Sequence, residues 1–266
     1  MGEAAPVDLA HSDFGGRGGP ILILHGLFGS SRNWRTLGGH LSRYGRVYGL
    51  DLRNHGQSPH TDTHTLSDLT ADLNAWITRN LTENPVLMGH SMGGLLTQIL
   101  GARGLSKGLV LLTPASPSGI NALNYSVIKS FWSVLTKWGF WRNPHRLSFK
   151  ASVYSMLHLL PSEDQKAVYD RFVYESGRAA AEIGFWLLDF KGGSKVDHSK
   201  VSCPVLVVAG AEDRITPAAV VRKVANKYKA VSTYKEFENH AHWVVGEPGW
   251  EEIAEFVSDW LNQVSD

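Results

Sequence analysis

Three residue types that together can carry out acyl transfer occur in this chain, each in a loop that follows a short apolar run. Ser91 sits in Gly89-His90-Ser91-Met92-Gly93-Gly94, after Pro85-Val86-Leu87-Met88 and before the helix-like Leu95-Leu96-Thr97-Gln98-Ile99-Leu100. A G-x-S-x-G placed where a strand turns sharply into a helix holds its serine in a strained conformation. The flanking glycines give the room that the tight packing needs, so the hydroxyl stands clear of the sheet. Serine alone is a poor nucleophile and needs a general base, which in turn needs an orienting carboxylate. Asp213 lies in Gly210-Ala211-Glu212-Asp213-Arg214-Ile215-Thr216-Pro217, and His242 in Glu238-Asn239-His240-Ala241-His242-Trp243. The chain order Ser, acid, His separates this arrangement from the two unrelated serine-protease orders. Glu212 competes for the acid role, Asp213 also reads as a helix N-cap, and His240 competes with His242 for the base.

A tetrahedral intermediate also needs two N–H donors where its negative charge develops. Met92 N–H, just past the nucleophile at a helix start, is one candidate. Leu27 N–H in His25-Gly26-Leu27-Phe28-Gly29, after the first long strand, is the other. His25 and His90 read as structural. His55, His60 and His64 lie in a Thr- and Pro-containing loop without cysteine partners or a helical His-Glu-x-x-His spacing, so no metal is expected. The cluster Gly15-Gly16-Arg17-Gly18-Gly19 lacks the Gly-Lys-Ser/Thr ending of a phosphate loop, and no cofactor is expected.

These residues need a scaffold that brings distant loops to one edge. Short apolar runs alternate with longer amphipathic stretches, the pattern of an α/β fold with a mostly parallel sheet and helices on both faces. About eight strands are expected. Segments 7–11 and 20–25, flanking the glycine cluster, read as an antiparallel opening pair joined by a tight turn. Further strands are expected at 46–51, 85–89, 108–113, 204–209 and 233–237. Helices are expected at 33–44, 66–81, 92–103, 217–228 and 250–264. Parallel strands require such crossovers, and ligands bind beyond their carboxyl ends, where His25, Asp51, Ser91 and Asp213 all fall.

From 116 to 199 the alternation stops. This stretch reads as an inserted helical cap over a core formed by 1–115 and 200–266. It is rich in aromatics, among them Phe131, Trp132, Trp138, Phe140, Trp141 and Trp186. An aromatic lid over a catalytic serine makes an apolar pocket that excludes water. Phe28, Trp132, Trp138, Trp186 and Trp243 are the expected pocket residues.

Composition narrows the function classes. The 266 residues are 43% hydrophobic with a formal net charge of +1, which suits one large domain or a domain with an insertion and disfavours nucleic-acid binding. The single cysteine, Cys203, excludes an internal disulfide framework. The first residues lack a basic segment followed by an apolar one, and no apolar run is long enough to span a bilayer, so a cytoplasmic protein is expected. Monomer and homodimer both remain open.

With His25-Gly26, Asp51-Leu52-Arg53-Asn54-His55-Gly56-Gln57-Ser58, Gly89-His90-Ser91-Met92-Gly93-Gly94, Asp213 and His242-Trp243, the chain resembles the α/β-hydrolase superfamily over nearly its whole length. The segments His25-Gly26-Leu27-Phe28-Gly29-Ser30 and Arg53-Asn54-His55-Gly56 resemble the small carboxylesterases of the ABHD11-like and YbfF-like group. The resemblance implies a Ser91–His242–Asp213 triad, an oxyanion hole at Leu27 and Met92, and hydrolysis of small to medium apolar esters. The same site could act on thioesters, lactones or C–C bonds, carry out perhydrolysis, or transfer acyl groups to alcohols. A ligand receptor that retains the triad is a further class. One residue departs from the pattern: Ala241 stands where the family usually has Gly before the catalytic histidine.

Overall fold

In a computed structural model describing residues 5–265, the apolar runs become strands β1 (His11–Gly15), β2 (Pro20–Leu24), β3 (Arg46–Leu50), β4 (Val86–His90), β5 (Gly108–Leu112), β6 (Pro144–His145), β7 (Glu175–Ser176), β8 (Val205–Gly210) and β9 (Ser232–Phe237). Helices α1 (Arg35–Leu41), α2 (Leu66–Asn80) and α3 (Met92–Gly101) precede β5. Helices α4 (Tyr125–Leu135), α5 (Phe149–Ser152), α6 (Ser162–Asp170) and α7 (Gly177–Gly184) follow it, and α8 (Ala218–Lys227) and α9 (Trp250–Ser265) complete the chain.

Strands β2, β4, β5 and β8 are buried at every position. A strand apolar on both sides needs a cover on both faces, which parallel strands obtain from their crossover helices. One apolar cluster joins the sheet to α2, α3 and α8 through residues such as Leu69, Leu96 and Val221. The opposite cluster joins it to α1 and α9 through Leu37, Leu41, Val257 and Leu261. Local chemistry sets the helix starts: Thr65 Oγ1 accepts Asp68 N–H at 3.1 Å while Asp68 Oδ2 accepts Thr65 N–H at 3.0 Å, a reciprocal cap that begins α2.

The sheet order is β1-β3-β2-β4-β5-β8-β9, with β1 antiparallel to β3 and the other pairs parallel. Among the described residues the central sheet therefore holds seven strands rather than about eight. The opening pair also differs from expectation. The first strand starts at His11 rather than ending there, and it pairs with β3 instead of β2. The reason is burial: both edges of β2 are occupied by β3 and β4, so the more exposed β1 closes the sheet as an edge strand.

The chain leaves the sheet after β5 and rejoins it at β8, the neighbour of β5, with Leu109 opposite Val205. The residues between form α4 to α7, the β6–β7 ribbon and short irregular turns. They meet the sheet at its carboxyl edge, where Val173 N–H donates to Phe28 O at 2.9 Å. No helix among the described residues is long and apolar enough to cross a membrane.

The loop after β3 is tied to α2 by a buried ion pair. Arg53 Nε and Nη2 donate to Asp72 Oδ2 and Oδ1, each at 2.7 Å, with both side chains at most 1% exposed. Removing one partner of such a pair strands a buried charge. Asp72→Asn is expected to lower the unfolding free energy by about 3–5 kcal/mol, measured by urea denaturation. A loss below about 1 kcal/mol would mean that the guanidinium finds water or another acceptor on relaxation.

Candidate active site

The backbone at the carboxyl edge of the sheet is strained at a set of positions. Non-glycine residues with positive φ are Phe28 (65°), Asn54 (66°), Ser91 (54°), Thr113 (40°) and Asn239 (57°), which follow β2, β3, β4, β5 and β9. Asparagine tolerates this region, whereas Phe, Ser and Thr hold it only when their surroundings over-determine it. At Ser91 the peptide is fixed on both sides: its N–H donates to Leu112 O at 3.1 Å, and its carbonyl accepts the N–H groups of Gly94 and Ala115 at 2.9 and 2.8 Å. Close approach accounts for the neighbouring glycines. A Cβ at Gly89 would lie 2.2 Å from Gly93 O, one at Gly93 2.3 Å from Leu24 O, and one at Gly26 2.8 Å from Ser91 Cβ.

Asp213 and His242 meet across their loops. His242 Nδ1 lies 2.8 Å from Asp213 Oδ2, and both residues are buried. Asp213 Oδ1 accepts the N–H groups of Ile215 and Thr216 at 2.7 and 2.8 Å, and Thr216 Oγ1 lies 2.8 Å from Oδ2. Burial pushes the Asp213 carboxyl up, but the His242 imidazole and these backbone donors outweigh it and hold the group below the usual carboxylate range. Glu212, the rival acid, is exposed. His240, the rival base, sits against a buried carboxylate that sequence reasoning missed: Glu247 Oε2 is 3.3 Å from His240 Nδ1 and 2.7 Å from Ala241 N, while Oε1 accepts Trp243 N–H at 2.9 Å. Ala241, in the position usually held by glycine, is not among the positive-φ residues, so its methyl fits without strain.

Ser91, Leu27 and Met92 line one cavity of about 110 Å³. Its other walls are chiefly apolar, including Ile120, Phe131, Val134, Phe140 and Ile183, and no charged side chain lines it. Met92 opens α3, so its N–H has no intrahelical partner. Neither it nor Leu27 N–H donates to another group among the described residues. Ser91 Oγ likewise makes no hydrogen bond there; such contacts are often long in unliganded sites and tighten around substrate.

Of the five aromatic pocket candidates, Trp186 lines the cavity and the others do not. Trp132 points outward, 61% exposed, because the opposite side of α4 supplies the cavity wall through Val127, Phe131 and Val134, and Trp138, in the turn after α4, is 95% exposed. Trp243 packs beneath the site against His90 and Phe172. Phe28 is buried in the core, and its backbone rather than its ring matters here.

That backbone is clamped from the inserted segment. Phe28 O accepts Val173 N–H, and Phe28 N–H donates to Glu175 Oε2 at 3.3 Å. The Glu175 carboxylate also lies 3.0 Å from His55 Nε2 through Oε2 and 3.0 Å from His64 Nε2 through Oε1. Burial pushes Glu175 up, but the two imidazoles more than reverse this and keep it ionised; His55, despite its own burial, is held above the ordinary histidine value by Glu175. These three side chains are grouped closely enough to suggest a metal site, with Glu175 in place of the exposed His60. The hydrogen bonds assign protons to the ring nitrogens that a metal would need. His55 Nδ1 donates to Arg53 O at 2.9 Å, and Nε2 must donate as well to reach a carboxylate. His64 Nδ1 accepts from Asn54 Nδ2 at 3.0 Å, leaving its proton on Nε2 facing Glu175. The donor set fits a buried ion-pair hub better than a metal centre.

His25 and His90 are buried and neutral. His25 Nδ1 donates to Gly26 O while Nε2 accepts Leu52 N–H, and burial with the nearby His55 lowers its pKa to about 4. His90 Nε2 donates to His242 O at 2.7 Å, and burial with the nearby His242 lowers its pKa to about 3. Asp51 spends its two oxygens on the N–H groups of Ser31 and Gln57, shaping the loop.

A family model described as the alpha/beta hydrolase fold matches residues 19–248. Over 124 residues, 44% of this chain, the sequence is 40% identical to the sn-1-specific diacylglycerol lipase ABHD11 of Danio rerio, covering 39% of that protein. Over 82 residues, 30% of this chain, it is 34% identical to ethanol acetyltransferase 1 of Hanseniaspora uvarum, covering 25% of that protein. In both cases the matched stretch spans well under half the relative's length. Among solved structures, the monoacylglycerol lipase of Paleococcus ferrophilus superposes with a TM-score of 0.72 at 24% identity, over 97% of this chain and 99% of that one, a likeness of fold.

The buried histidines make stability depend on pH with a definite sign. Because His25 and His90 have lowered pKa values in the folded chain, the unfolded chain binds protons more readily. Their contribution is complete above about pH 6.5 and shrinks by about 1.4 kcal/mol per pH unit for each as the pH falls. His55, raised instead, acts with the opposite sign: its contribution is complete below about pH 6.5 and is lost as the pH rises, so it offsets a small part of that fall. The unfolding free energy is expected to fall by about 3 kcal/mol between pH 7 and pH 5, measured by urea denaturation at each pH. A flat profile would mean that both imidazoles protonate in place.

Proposed function

Because the chain belongs to the α/β-hydrolase fold family, we propose that it hydrolyses esters through an acyl-enzyme on Ser91, with His242 as base and acid, Asp213 as its orienting carboxylate, and residues 116–199 as a cap over the acyl pocket. Ser91 Oγ attacks the ester carbonyl carbon as His242 Nε2 takes its proton. The resulting oxyanion accepts the N–H groups of Leu27 and Met92. On collapse the C–O bond breaks, and His242 returns the proton to the leaving alcohol. Water, deprotonated by His242, then attacks the acyl-enzyme and releases the acid, restoring Ser91.

The observation that carries this reading is the shared cavity: a strained serine, two N–H donors without partners and an uncharged apolar wall converge on one space. The 2.8 Å contact between Asp213 and His242 supports the assignment of the base, since it holds the imidazole with Nε2 available for proton transfer. The uncharged lining favours small to medium apolar acyl groups over phosphorylated or ionic ones. The similarity to a diacylglycerol lipase and to a monoacylglycerol lipase supports ester hydrolysis as the reaction class. Similarity to an ethanol acetyltransferase supports a second reading, in which an alcohol rather than water takes the acyl group. Product analysis in ethanol–water mixtures separates the two, ethyl ester for transfer and free acid for hydrolysis.

Ser91→Ala is expected to lower kcat on p-nitrophenyl butyrate by about 10⁴-fold or more; retention of turnover would remove the acyl-enzyme. Glu175 acts in this scheme as a positioning residue, holding the Phe28 peptide and with it the Leu27 donor. Glu175→Gln should reduce kcat by about 10- to 100-fold through misplacement of that donor. KM should change by no more than about twofold, since the acyl pocket is untouched. Equal losses in kcat and in folded fraction would reduce Glu175 to a structural role.

A further inference from the structure

The large apolar side chains that the described residues expose are Leu123, Tyr125, Ile128, Trp132, Trp138, Trp141, Phe149, Tyr174, Leu187, Leu188 and Phe190, and all fall in the segment between β5 and β8. Several are almost fully solvated: Phe190 is 97% exposed, Trp138 95%, Tyr125 76% and Leu187 74%. Soluble monomers rarely segregate so much apolar surface to one region without a partner for it. The first half of α4 is apolar on both sides. Val127 and Phe131 face the cavity, Ile128 lies at its rim, and Tyr125 and Trp132 face solvent. A helix of this kind is ordinarily covered on both sides.

Two further features say what covers it. Residues 121–150 carry Lys129, Lys137, Arg142, Arg146 and Lys150 and no acidic residue. Lys129 and Arg146 lie over the Tyr154 and Tyr169 rings, but Lys137, Arg142 and Lys150 are exposed and form no ion pair among the described residues. A two-fold contact between copies would set this basic stretch against itself. Exposed Trp and Tyr beside Lys and Arg is instead the composition that seats a protein at a bilayer interface. The patch is also continuous with the site: Leu123 and Ile128 are exposed and line the cavity, and Trp186 lines it beside exposed Leu187.

We propose that the outer face of α4, the turn that follows it and residues 186–190 form a docking surface for an anionic lipid membrane, with the cavity mouth turned toward the lipid. On the ester-hydrolase reading, substrate would then enter from the bilayer rather than from water, so lipid-borne acyl esters are the class it serves. Docking itself does not depend on that reading.

The test is co-sedimentation of the whole protein with vesicles of phosphatidylcholine, with and without phosphatidylglycerol. Binding is expected to the anionic vesicles, weakened by salt. Lys137→Glu with Lys150→Glu should reduce the partition coefficient by about tenfold or more, and Trp132→Ser with Trp138→Ser by a similar factor. Both double variants should hydrolyse dissolved p-nitrophenyl acetate like the parent. Ser91→Ala should still bind, which keeps a failure of docking distinct from a failure of the acyl-enzyme. No binding to anionic vesicles, equal binding to neutral ones, or burial of Trp138 in a dimer seen by sedimentation velocity would each overturn the proposal.

Discussion

Everything at this site depends on how closely main chain can approach main chain at the carboxyl edge of the sheet. The turn from β4 into α3 is held with the carbonyls of Leu24 and Gly93 so near that even a methyl group would collide at residue 89 or 93. The loop after β2 meets the elbow just as closely, since Gly26 leaves no room for a side chain beside Ser91. Packing of this density fixes positions more firmly than any side-chain hydrogen bond, and it sustains the unfavourable φ of Ser91. The candidate site is built on backbone rigidity, with side chains added at the loop tips.

A second tier of buried polar groups orients those tips. Asp213 ties the histidine loop to the strand-end loop after β8, and Glu247 gathers the backbone N–H groups on either side of His242. Glu175 does the same for the loops after β2 and β3, reaching in from the inserted segment. Each of these carboxylates is buried yet fully engaged by N–H donors or imidazoles, the condition under which charge in an interior organises structure.

The parts of this arrangement legible in the sequence were those with local signatures. Fully apolar runs marked β2, β4, β5 and β8, amphipathic stretches marked the crossover helices, and glycines around Ser91 marked the elbow. The first strand was misjudged because pairing is a competition among distant segments: nothing near His11 records that β3 takes the open edge of β2. Glu175 and Glu247 carried no signal, since a lone carboxylate in Tyr174-Glu175-Ser176 or Gly246-Glu247-Pro248 looks like any surface residue until the fold brings His55 or the His240 loop against it. Trp132 and Trp138 show the converse error. Aromatic content suggested a pocket lining, but helix phase decides which way a side chain faces: α4 gives the cavity Phe131 while turning Trp132 away, and Trp138 falls beyond the helix in an exposed turn.

The inserted segment begins and ends on neighbouring strands, β5 and β8, whose hydrogen bonds close its two ends regardless of what lies between. Lengthening such an excursion adds only a logarithmic entropic cost. Evolution, or an engineer, can therefore exchange this module piecemeal while the sheet keeps its register. The limit on such grafting is the Val173–Glu175 strip, which must survive in any replacement because the loop beside Ser91 leans on it.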